Sequence, residues 1–198
     1  MRFAMNMKTM VALAGCLLLT GILPAQDPPK ADPGAGEEYA VYAAALKEAV
    51  GGFSYVVVST TTLHGKPEQI EKALTFPIEH DKLITQDLVK DFKFKNLKPQ
   101  TIADHFPSGI RVTLISEQEE SALFANSHKD GWKTFYEKYM GASGITHISR
   151  VGFNQKRDTA IVYVGNLRNW DAGGGSYLLL TKTDGEWKVV SQTRGWIT

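Results

Sequence analysis

Gly141-Ala142-Ser143-Gly144 followed by His147 sets a hydroxyl and an imidazole four residues apart. Acyl transfer needs that pair within hydrogen-bond reach and a carboxylate to orient the ring, and Asp171 is the acid that a later loop could deliver. Small residues around a serine are also what the end of a helix looks like, and no Gly-x-Ser-x-Gly elbow surrounds Ser143. Hydrolysis by Ser143, His147 and Asp171 is therefore the alternative reading. Metal chemistry has less to work with. The histidines stand at 64, 80, 105, 128 and 147 without the close pairing that puts two imidazoles on one face, and the side chains of Glu79-His80-Asp81 diverge on any regular backbone. Gly173-Gly174-Gly175 lacks the Lys-Ser/Thr and the following helix of a phosphate loop. No metal and no cofactor is expected.

The stronger signal is for binding. Between two strand-like runs, residues 167–176 hold Arg168, Asn169, Trp170, Asp171 and three glycines, longer than the two to five residues usual for a hairpin loop. A tryptophan beside a cation and an acid on a glycine-softened loop suits a ligand or protein contact, so Arg168, Asn169, Trp170, Asp171 and Gly174 are the candidate binding residues. The stripe of Trp132, Phe135, Tyr136 and Tyr139 has helical spacing and reads as core packing.

The elements that must position these residues follow from periodicity and turn chemistry. Residues 37–50 carry Tyr39, Tyr42 and Leu46 at spacings of three and four, begin with two acids and stop at Gly51-Gly52, which predicts a helix. Residues 53–62 are dense in β-branched and aromatic side chains and predict a buried strand. Helices are expected over 67–74 and 81–92, a strand over 110–116, a helix start at Ser116 with Glu119 in capping-box spacing, and a helix over 130–139. Four strands are expected over 145–153, 159–164, 177–183 and 186–196. Asp184-Gly185 predicts a two-residue turn pairing Thr183 with Glu186, Lys182 with Trp187, Leu180 with Val189 and Leu178 with Ser191. The resulting fold class is α+β: N-terminal helices with one or two strands packed on a C-terminal four-stranded antiparallel meander, in a single domain over 37–198.

The N-terminus reads as a secretory leader. Arg2 and Lys8 precede an apolar run from Met10 to Leu23, and Leu23-Pro24-Ala25 precedes the polar Gln26, so cleavage is expected after Ala25. Leu13-Ala14-Gly15-Cys16 also has the form of a lipobox, which makes an outer-membrane lipoprotein anchored at Cys16 the alternative. The Pro- and Gly-rich residues 26–36 read as a tether. Cleavage removes the single cysteine, leaves no apolar stretch long enough to span a bilayer, and takes a chain of 22 basic and 21 acidic residues to a formal charge of −1. Lys90, Lys93, Lys95 and Lys98 are diluted by Asp87 and Asp91, so no basic face for nucleic acid is expected.

The run Ile148-Ser149-Arg150-Val151-Gly152-Phe153-Asn154, the three glycines before Tyr177, Asp184-Gly185 with Trp187-Lys188-Val189, and the terminal Trp196-Ile197 resemble a family of uncharacterised exported bacterial proteins. The segment around Gly131-Trp132, Phe135-Tyr136 and Tyr139 is similar to theirs as well. That resemblance implies a periplasmic or extracellular location and one α+β fold, and carries no activity. A helical first half before a curved sheet also resembles the NTF2-like folds, which host enzymes and binding proteins alike. The expectation is an exported envelope protein with a non-catalytic domain that binds a small molecule or another envelope protein; the alternative is a small periplasmic hydrolase.

Overall fold

In a computed structural model, residues 35–49, 51 and 55–197 are described, all within one compact unit, Asp32–Thr198. The leader over 1–25, the Ala25 cleavage point, Cys16 and the tether as far as residue 34 lie outside the described residues, as do residues 53 and 54 of the first expected strand. Chain order is α1 (Ala35–Ala49), β1 (Tyr55–Ser59), α2 (Pro67–His80), α3 (Gln86–Lys95), β2 (Arg111–Ile115), α4 (Glu117–Phe124), α5 (His128–Lys138), β3 (Ile145–Ile148), β4 (Gly152–Phe153), β5 (Thr159–Asn169), β6 (Ala172–Thr183) and β7 (Glu186–Ile197). The fold is α+β.

The seven strands among the described residues join one mixed sheet in the order β2-β1-β3-β5-β6-β7, with β4 also on β5. The C-terminal strands are antiparallel, while β1 pairs parallel with both β2 and β3. The early strands therefore extend the meander rather than pack on it. Alternation along each strand sorts side chains to two faces. On one face, Val41, Tyr42, Ala45 and Leu46 of α1 meet Val56, Val58, Ile148, Val162, Val164, Leu178, Leu180 and Trp187. On the other, Trp132, Phe135 and Tyr139 of α5 cover Tyr55, Val57, Ile115 and Ile145, and α2 and α3 bring Ile70, Leu74, Leu88 and Phe92 onto Ile161 and Leu179. The aromatic stripe is core, as its spacing implies.

Local chemistry explains where elements depart from the periodic pattern. Helix α2 continues past residue 74 through Pro77. Pro77 has no N–H for the Ala73 carbonyl and its ring crowds that carbonyl, yet the helix runs on through it, with Ala73 exposed. Asp81 does not open α3; its carboxylate accepts from the Leu83 N–H at 3.0 Å in a turn, and the helix starts only at Gln86. Ser116 caps α4 by accepting the Glu119 N–H at 3.1 Å, but the Glu119 carboxylate turns to Lys138 and Tyr139 instead of closing the box. Residues 145–153 form two strands because Arg150 is pinned between them, its N–H on Asn96 Oδ1 at 2.8 Å and its carbonyl on Asn96 Nδ2 at 3.1 Å.

The Asp184-Gly185 turn forms with both residues at positive φ, 54° and 83°, and gives the expected pairs Thr183–Glu186, Lys182–Trp187 and Leu180–Val189. Beyond a bulge opposite Leu179 and Leu180 the register slips by one, so Leu178 faces Gln192 and Ser191 faces Leu179. No helix among the described residues is long and apolar enough to cross a membrane.

Candidate functional site

The expected hydroxyl, imidazole and acid are not hydrogen-bonded to one another. His147 on β3 directs Nε2 to Glu120 Oε1 of α4 at 3.1 Å. Ser143 is buried at 4% exposure, and its hydroxyl has no hydrogen-bond partner among the described residues. Asp171 stands exposed at the end of the β5–β6 hairpin. No group of three or more His, Cys, Asp or Glu side chains able to hold a metal converges among the described residues, and the side chains of Glu79 and His80 lie outside them.

The expected ten-residue loop over 167–176 is corrected by the structure. Strand pairing runs from Leu167 opposite Gly173 to Val164 opposite Ser176, and only Trp170 and Asp171 are left to turn the chain. The glycines are strand residues here, and at Gly173 and Gly175 a side chain would be crowded, whereas Gly174 has ordinary space. A methyl group on Gly175 would overlap the Tyr163 hydroxyl and lie 2.6 Å from Trp196 Nε1, so two aromatic side chains cover a glycine on the sheet. Arg168, Asn169, Trp170 and Asp171 cluster at the exposed hairpin end, with Trp170 at 64% exposure, whereas Gly174 sits half-buried in the ladder opposite Ile197. The Arg168 carbonyl accepts the Tyr136 hydroxyl at 2.7 Å, tying the hairpin end to α5.

The concave site lies elsewhere, between α2 and the face of β5, β6 and β7. Two adjoining hollows share Gln69, Ala73, Tyr163 and Tyr177. The inner one, about 250 Å³, is bounded by Leu63, Ile70 and Phe92, with Asn96 and Ser149 beneath. The outer one, about 530 Å³, opens between Lys72 and Pro77 of α2 and Arg194 and Trp196 of β7. Alternation fixes the floor: Ile161, Tyr163 and Gly165 share one face of β5, and Gly175, Tyr177 and Leu179 share that face of β6. The rings of Tyr163 and Tyr177 meet edge to face at 4.9 Å, and Phe92 meets Tyr177 at 6.1 Å. The segment after β1 closes the inner end, with Leu63 N–H on the Ile148 carbonyl at 2.8 Å and Gly65 N–H on the Asn96 carbonyl at 3.0 Å.

Of the inner polar side chains, Asn96 and Ser149 are already spent, while His64 lines the hollow from an exposed position. Asn96 donates to the Phe92 and Arg150 carbonyls and accepts from the Arg150 N–H, while Ser149 Oγ accepts the Tyr163 N–H at 2.8 Å and donates to the Arg150 carbonyl at 3.0 Å. Those of the outer end are largely free. Trp196 Nε1 donates to the Tyr163 oxygen, which leaves the Tyr163 proton available, and the Tyr177 hydroxyl makes no hydrogen bond among the described residues. Burial, with the neighbouring Tyr163, pushes Tyr177 up to about 12, so it is a neutral donor at ordinary pH.

The residues of this groove escaped the reading of the sequence. Tyr163 and Tyr177 are two residues among strand aromatics, and only the β5–β6 register sets them side by side. A signal was present in the alternation Ile161-Tyr163-Gly165 against Gly175-Tyr177-Leu179, which can be lined up once both strands are taken through the glycines. Compared with family models, with curated proteins and with solved structures, the chain matches none.

Proposed function

We propose that the protein is an exported bacterial envelope protein whose domain binds a small molecule without transforming it, and that the ligand lies in the groove between α2 and the sheet. The observation that carries this is the groove itself: a concave surface of ligand size, walled by Tyr163, Tyr177, Phe92 and Trp196, with unspent hydrogen-bonding groups at one end. Non-catalytic binding is favoured because His147 is engaged with Glu120 and the Ser143 hydroxyl is buried without a base. Export rests on the leader-like sequence through Ala25 and on the resemblance to exported bacterial proteins.

The test is native mass spectrometry of the purified chain after exposure to a small-molecule extract of the bacterial envelope. A co-purifying mass is expected in the wild type and not in Ala73→Trp, which fills the groove from an exposed helix position. A bound mass that survives Ala73→Trp but is lost in the double variant Arg168→Ala, Trp170→Ala would place the site at the hairpin end instead. N-terminal sequencing of the cell-fractionated protein is expected to begin at Gln26; a lipid-modified Cys16 or an intact Met1 would overturn the free exported form.

A further inference from the structure

We infer that the groove takes an aryl carboxylate, its ring inward and its acid outward; this rests on the groove being the ligand site. The inner hollow is apolar in effect. Its larger side chains are Leu63, Ile70, Phe92, Tyr163 and Tyr177, with the exposed His64 and Gln69 also lining it, and the amide of Asn96 and the hydroxyl of Ser149 are consumed by backbone groups. A ligand group seated against those rings, away from His64 and Gln69, meets no free polar atom of Asn96 or Ser149 and so is best apolar. Three aromatic rings already in edge-to-face array present both ring faces and ring edges, which a further ring can meet in the same geometry and a flexible chain cannot.

The outer hollow has the opposite character. Its unspent groups are donors: the Lys72 ammonium, the protons of Tyr163 and Tyr177, and Gln69, whose oxygen is occupied by the Lys66 N–H at 2.9 Å. Lys72 and Arg194 line it, no carboxylate does, and neither cation has an acidic partner among the described residues. Acceptors are fewer: the Tyr177 hydroxyl oxygen and the Ala73 carbonyl, left without its helical donor by Pro77. Many donors and a positive edge beside few acceptors suit a group that accepts hydrogen bonds and carries negative charge; a polyhydroxy ligand would leave most of its own protons unpaired. The distance between the two characters is short, since Tyr163 and Tyr177 belong to both hollows. The ligand is therefore a compact ring bearing its acid directly or on a short arm.

The test uses three probes on the whole chain by titration calorimetry: 2-naphthoate, 2-naphthalenemethanol as its neutral counterpart, and octanoate as the same acid on a flexible chain. Naphthoate is expected to bind best, and Lys72→Met to weaken it by about tenfold while leaving the alcohol unchanged, the size of one charge-assisted hydrogen bond. Saturation-transfer NMR is expected to place the naphthyl protons, not the carboxylate end, against the inner rings. Equal binding of the alcohol, tighter binding of octanoate, or indifference to Lys72→Met would overturn the aryl carboxylate and leave the groove as the site of another ligand. If none of the probes binds but the envelope extract still yields a mass that Ala73→Trp removes, the ligand class is wrong and the groove stands; if neither gives a bound species, both readings fall.

Discussion

Removing the carboxylate of Glu38 should cost the domain a large part of its stability, because this acid is the joint between α1 and the strands beneath the groove. Glu38 is buried at 8% exposure. Its oxygens accept from Arg150 at 2.9 and 3.2 Å, from the Val151 N–H at 2.9 Å and from the Tyr42 hydroxyl at 3.2 Å. Glu38→Ala would leave the Val151 N–H and the Tyr42 hydroxyl buried without an acceptor and take the counter-ion from a guanidinium whose side chain is only one-fifth exposed. Breaking such a partly buried, multiply bonded pair costs about 3–5 kcal/mol, against the 0.2–1 kcal/mol or so of a surface ion pair. A domain of this size is stable by roughly 5–15 kcal/mol, so the variant should fold but with little margin. Equilibrium urea unfolding followed by circular dichroism reads this directly. With a slope of about 2 kcal/mol per molar, the midpoint should fall by about 1.5–2.5 M. A double-mutant cycle with Arg150→Met isolates the pair, with a coupling above about 1 kcal/mol expected. Arg150 also holds Asn96, so the groove floor should loosen together with α1. A loss in Glu38→Ala below about 1 kcal/mol would mean that the carboxylate behaves as a surface group and would refute this reasoning.

Two further outcomes follow from the aromatic floor. Gly175→Ala forces a methyl group against the Tyr163 hydroxyl and Trp196 Nε1, so it should destabilise by about 1–3 kcal/mol and shift tryptophan emission to longer wavelength as Trp196 lifts away; an unchanged spectrum and midpoint would show that the rings do not cover this position. Tyr177 should titrate late, near pH 12, because burial and then Tyr163 disfavour the phenolate. Its folded value lies above the model-compound value of 10.0, so its contribution is complete below pH 10 and is lost as pH rises from 10 toward 12. In ultraviolet titration, Tyr177→Phe should remove one late-titrating phenol and flatten the alkaline fall in stability over that window, and an unaltered late phase would contradict the assignment.

What was legible in the residues was whatever depends on near neighbours in the chain. The acids at the start of α1, the Ser116 cap, the Asp184-Gly185 turn and the helical spacing of Trp132, Phe135 and Tyr139 are local devices, and each acts in the structure where it stands in the sequence. Long-range pairing was not legible. Nothing near Tyr55 or Arg111 says that β1 lies parallel to β2 and β3 within the meander's own sheet, since a parallel partner is supplied by a distant segment. The glycines at 173–175 looked like a loop because glycine is a turn residue by local preference. In the fold they are strand residues, paired with β5 and β7, and at Gly175 Tyr163 and Trp196, twelve and more positions away, occupy the space a side chain would need.

The same division separates the two candidate sites. A polar and aromatic cluster such as Arg168-Asn169-Trp170-Asp171 is contiguous and can be seen in the chain, and the structure sets it at the open end of a hairpin. The groove draws on α2, α3, the segment after β1, and three strands, none of whose members is unusual where it occurs. Sequence determined which side chains alternate to the same face of each strand; tertiary structure alone decided which strands stand beside one another and that α2 stops short of closing over them, because a concave surface is made by elements whose spacing no local interaction sets.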